Sequence, residues 1–126
     1  MATYTLNFSC SFSSNDQEKP TILLSWVKEA KANLANANFW QEWIEATMKD
    51  ANAEQEGDVK IQTITLTPAV ADGSFTGSIT WTAPAVHIEA IEEAVEWRIG
   101  DRMCFYAFQE EDWHCYIHPE DTVTIV

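Results

Sequence analysis

The densest set of potential metal ligands in the chain is His114-Cys115-x-x-His118, with Cys104 upstream. Tetrahedral zinc takes four such ligands, usually delivered in close pairs. No Cys-x-x-Cys is present, and on an extended strand Cys115 projects to the side opposite His114 and His118. Only Cys104 and His118 would converge, so no metal site is expected. Three histidines and four glycines narrow the catalytic options equally. The chain has no Gly-x-Ser-x-Gly, no phosphate loop, no Gly-x-Gly-x-x-Gly and no His-Glu-x-x-His. Paired carboxylates abound, but twenty acids in 126 residues pair by density alone. A non-enzymatic protein without a cofactor is the expectation.

What remains is chemistry of recognition. Glu89, Glu92, Glu93 and Glu96 are spaced by three and four, so on a helix they form one acidic stripe. Carboxylates arrayed at several-ångström intervals imitate a phosphate backbone and compete for basic channels. Glu110, Glu111 and Asp112, and beyond them Glu120 and Asp121, add to the same charge. A second surface is aromatic. If residues 102–108 and 113–118 pair around the Glu110-Glu111-Asp112 turn, Tyr106 faces Tyr116 and Phe108 faces His114. Clustered aromatics rimmed by charge mark protein contacts. A register slip of one residue would exchange the two faces.

The net charge of −13 sets the class of partner. From Val86 onward there are ten acids against Arg98 and Arg102, so the excess leans toward the C-terminal third. Such a surface repels phosphate and anionic lipid. Direct nucleic-acid binding, which rests on Lys and Arg, is not expected. No run approaches the roughly eighteen to twenty apolar residues of a membrane span. Met1 to Ser14 has neither a basic start nor an apolar block, so it does not read as a signal peptide. With three cysteines, an odd count, reduced thiols in the cytoplasm are expected.

The elements that would position these groups follow from periodicity. Tyr4, Leu6, Phe8, Cys10 and Phe12 alternate with Thr3, Thr5, Asn7, Ser9 and Ser11, the pattern of a half-buried strand. From about Pro20 to Glu54 an apolar stripe recurs at steps of three and four. Unbroken, it would run about 50 Å, far beyond a strand of about 20 Å, so a break near Asn33, Asn36 and Asn38 is predicted. Val59, Ile61, Ile64 and Leu66 form a strand whose parity slips near Thr63, predicting a bulge. Phe75, Ile79, Trp81 and Ala83 form its hairpin partner, with Ser and Thr on the other face. Pro84 is placed in the first turn of a second helix that buries Ile88, Ile91, Val95 and Ile99 and stops at Gly100. A last hairpin begins at Arg102, and Thr122 to Val126 supply a short terminal strand.

This order predicts one α+β domain over residues 1–126, with a mainly antiparallel sheet, helices on one face and a ferredoxin-like βαββαβ(β) arrangement. The functional expectation is an acidic binding protein that occludes a basic, nucleic-acid-binding surface of another protein. Small acidic proteins of phages and mobile elements that block restriction or CRISPR machinery supply the class-level analogy. Two alternatives stand beside it. One is an assembly subunit or homodimer that self-associates through edge strands. The other is a small-ligand module or enzyme with a pocket between sheet and split helix.

Overall fold

The computed structural model describes the backbone of residues 2–14, 24–51, 59–68, 74–103, 113–119 and 124–125, and side chains within 2–11, 27–51, 59–68, 74–87 and 89–99. The arrangement is α+β. Strand β1 runs Ala2–Ser14. Its alternation resolves as read: Tyr4, Leu6, Phe8 and Cys10 are buried, Thr3, Thr5, Ser9 and Ser11 are half-buried, and Asn7 is exposed.

The long helical stripe divides into α1, Leu24–Leu34, and α2, Ala37–Asp50. Asn36 makes the break. Its backbone is extended (φ −85°, ψ 115°), and its side-chain oxygen accepts from the Asn38 amide at 2.9 Å, capping α2. The fully buried Trp40 ring donates from Nε1 to the Leu34 carbonyl at 2.6 Å. One of the carbonyls orphaned at the end of α1 is thereby satisfied from the start of α2.

Strands β2, Lys60–Leu66, and β3, Phe75–Ala83, form an antiparallel pair whose register shifts between Ile61 and Thr63, where the parity slip predicted a bulge. β3 pairs with β1 from Ala2↔Ala83 to Cys10↔Phe75. On its other side β1 pairs with β4, Trp113–Pro119, and nearer its start with β5, Thr124–Ile125. The sheet order is β2-β3-β1-β4, and every pairing is antiparallel.

Aromatic contacts join β1 to α2 and, within the sheet, β1 to β3. Phe8 lies 5.1 Å from Trp40, and Tyr4 stacks on Trp81 at 5.5 Å with an interplanar angle of 19°. Gly77, opposite both Phe8 and Leu66, makes room for them. A Cβ there would stand 2.6 Å from Phe8 Cζ, 2.7 Å from Leu66 Cδ2 and 2.8 Å from the Thr65 carbonyl oxygen.

Three expectations for the C-terminal half need correction. Helix α3 runs Ile88–Val95 with His87 as its N-cap residue, so Pro84 lies in the preceding connection and not in the first turn. The Tyr4 hydroxyl donates to the Pro84 carbonyl at 2.9 Å and accepts from the Val86 amide at 3.1 Å, and these bonds hold that segment outside the helix. Nor does Gly100 end the helix, because π-helical winding continues over Glu96–Met103. Ile99 is fully buried and Arg98 is paired with Asp50 of α2. Tertiary contacts thus outweigh a glycine cost of about 1 kcal/mol. Arg102 and Met103 consequently belong to this helix and not to a strand. β4 takes β1 as a partner. Residues 104–112, which carry the other arm and the turn of the expected hairpin, lie outside the described residues.

Candidate functional site

Helix geometry brings the α3 acids together. At about 100° per residue, Glu89, Glu92, Glu93 and Glu96 fall within an arc of about 100°. Ile91, Ala94, Val95 and Ile99 occupy the buried side. Glu89, Glu93 and Glu96 are exposed and Glu92 is half-buried. Trp97, adjoining the arc, is 53% exposed, the one large apolar side chain so placed among the described residues. Glu89 also sits in the first turn of α3, where a carboxylate is favoured by the helix dipole.

The cation nearest in sequence is already engaged. Arg98 Nε donates to Asp50 Oδ2 at 2.5 Å and Nη2 to Asp50 Oδ1 at 3.3 Å. The hydrogen bond to Asp50, opposed by slight desolvation and aided by the carboxylate charge, raises the guanidinium above its ordinary pKa. Among the described residues no cation is placed against any of the four glutamates, and Arg98 is committed to Asp50.

The sheet has the opposite character. Twenty acids are distributed along the chain, yet none falls on β1, β2, β3, β4 or β5, and Lys60 is the one charged residue on those strands. Its open face is a field of hydroxyls joined across strands. Thr5 and Thr80 share a hydrogen bond of 3.2 Å between their Oγ1 atoms. Thr67 and Thr76 share one of 3.1 Å. Two shallow depressions, about 360 Å³ and 250 Å³, lie at the Thr67–Thr76 end of the sheet. Among the described residues no charged side chain lines either one.

Of the expected aromatic face, the backbone register places His114 opposite Ser13, Tyr116 opposite Ser11 and His118 opposite Ser9. Directly paired residues share a face of the sheet, so these positions continue the Ser/Thr face of β1. The β4 part of the expected aromatic face therefore adjoins the Ser/Thr positions of β1 at the backbone level. Tyr106, Phe108, Glu110, Glu111 and Asp112, and likewise Cys104, Glu120 and Asp121, lie outside the described residues. No group of three metal-ligating side chains occurs among the described residues. No described helix is long and apolar enough to cross a membrane.

Sequence reasoning passed over the acid-free strands, although the signal was available: Ile61 to Ala71 carries no charge at all. Comparison of the chain with models of known protein families, with curated proteins and with solved structures found no match.

Proposed function

We propose that the protein is a non-enzymatic binding protein that occludes a basic, nucleic-acid-binding surface of another protein. The observation that carries this reading is the α3 arc: four carboxylates on one side of a helix, with no described cation paired to any of them. Long-range attraction from such an arc speeds encounter with a basic surface, while Trp97 beside it offers close apolar contact. The strand order and the single apolar sheet face support a ferredoxin-like organisation with the helices on that face. A cytoplasmic setting, and inhibition of a nucleic-acid enzyme such as a restriction or CRISPR effector, belong to the same proposal by analogy of class.

The test is capture from the lysate of the source cells, eluted with rising salt, on the wild-type chain and on a variant with Glu89, Glu92, Glu93 and Glu96 all changed to Gln. Basic proteins retained at low salt and lost from the variant are expected. Retention of the same proteins by the variant, with the same salt profile, would sink the proposal.

A further inference from the structure

We infer that the outer edge of β2 pairs with the same edge of a second copy of this chain, joining two sheets into one. The inference is independent of the proposed function. Among the described residues β3 is the only partner of β2. The Thr67 amide donates to the Thr76 carbonyl at 2.9 Å, so residue 67 faces β3. Alternation along an antiparallel ladder then turns Thr65 and Thr63 toward β3 as well, and turns the N–H and C=O of Ile64 and Leu66 outward.

Natural edges are blunted by charge, by bulges or by proline. Here Lys60 and the bulge at Ile61/Thr63 protect the first half of β2. The second half, Thr63 to Thr67, carries no charge. The helices tether the two ends of the strand: Gln41 Nε2 donates to the Val59 carbonyl at 2.7 Å, and Lys31 Nζ to the Thr67 carbonyl at 2.7 Å. Neither tether uses the outward groups of Ile64 or Leu66.

This segment is self-complementary. A two-fold axis at Thr65 sets Ile64 of each copy opposite Leu66 of the other, and both residues present outward groups that no described residue takes up. Each such pair exchanges two backbone hydrogen bonds, and Thr65 meets Thr65 between them. The Ser/Thr faces of the two sheets then run on as one surface. On the other face the half-buried Ile64 and Leu66 side chains of both copies adjoin.

Self-complementarity of the segment selects a second copy over a foreign strand, and the distribution of charge permits it. Two bodies of net charge −13 repel wherever their acids meet, and the strands, free of carboxylates, are where they approach at least cost. A basic foreign segment would instead be drawn to the carboxylates of the α3 arc.

Sedimentation velocity of the full chain over rising concentration and salt tests the pairing. A dimer is expected that tightens as salt screens repulsion, opposite in sign to capture of a basic partner by the α3 arc. Thr65→Glu places two carboxylates against each other across the axis, and dimerisation should weaken at least about tenfold. Asn7→Glu adds the same charge on β1, two strands away, and should leave most of the affinity. Hydrogen exchange should slow at the Ile64 and Leu66 amides on dimerisation. A chain monomeric at every concentration and salt would overturn the inference, and so would a dimer indifferent to Thr65→Glu. Protection confined to β4 would overturn it too. A foreign peptide that protects Ile64 and Leu66 while the chain stays monomeric would reassign the edge to a different occupant.

Discussion

Replacing Tyr4 with Phe removes one oxygen and leaves everything else the ring does. The ring stays stacked on Trp81, and the buried apolar area is unchanged. What disappears is the bridge between β1 and the connection into α3: a donated bond of 2.9 Å to the Pro84 carbonyl and an accepted bond of 3.1 Å from the Val86 amide. A neutral intramolecular hydrogen bond contributes roughly 1 kcal/mol net, and a group left unsatisfied in the interior costs more. Pro84 and Val86 are half-buried, so water replaces part of the loss. A destabilisation of about 1.5 kcal/mol follows for the pair. With an unfolding entropy of roughly 2.1 cal/mol/K per residue, that lowers the Tm of a 126-residue chain by about 6 °C. Urea melts should show the midpoint falling at constant m-value, and near-UV circular dichroism should keep the signature of the stacked pair. A Tm within about 1 °C of wild type would refute the idea that this phenol holds the α3 connection in place.

Gly77→Ala should cost about 1–3 kcal/mol in urea denaturation, because the new methyl meets Phe8, Leu66 and the Thr65 carbonyl at once. An unchanged midpoint would mean that the sheet relaxes freely there. Asp50→Asn should cost less than about 1 kcal/mol, since both partners of its ion pair are one-third exposed, and the loss should shrink as salt rises. The folded pKa of Arg98 is raised, so its contribution is complete below the ordinary arginine value and is lost only as pH climbs through the higher folded one. Titration of Arg98 should therefore leave stability unaffected near neutrality, which a series of melts across neutral pH would check.

Much of the local structure was legible because local rules produced it. Strict alternation in Tyr4–Cys10 fixed which face of β1 is buried, and the parity slip near Thr63 marked the irregularity that the β2–β3 register displays. The helix break was readable from the Asn run, since an Asn at position 36 offers its own backbone a cap in place of another helical turn. The misread positions depend on partners far away in sequence. Nothing near Pro84 announces that a tyrosine eighty residues earlier will claim its carbonyl. Gly100 reads as a stop until Asp50 and the core hold the residues on its N-terminal side. For the site, spacing alone predicted the acidic arc. That β4 lies beside β1 follows from sheet topology, which no local pattern encodes. The edge at Ile64–Leu66 needed the same knowledge of which strand ends the sheet.

Trp97 gives the molecule a built-in optical reporter. Its indole is half open to solvent between Glu96 and Arg98, whereas Trp40 and Trp81 are sealed in the core. Collisional quenchers of opposite sign will sample it unequally: caesium gathers in the negative potential of the neighbouring carboxylates, while iodide is turned away. In a chain with Trp26, Trp43 and Trp113 replaced by Phe, the ratio of the two quenching constants gauges the local field at that helix, and a macromolecule seated on it would shift the ratio before any change in shape.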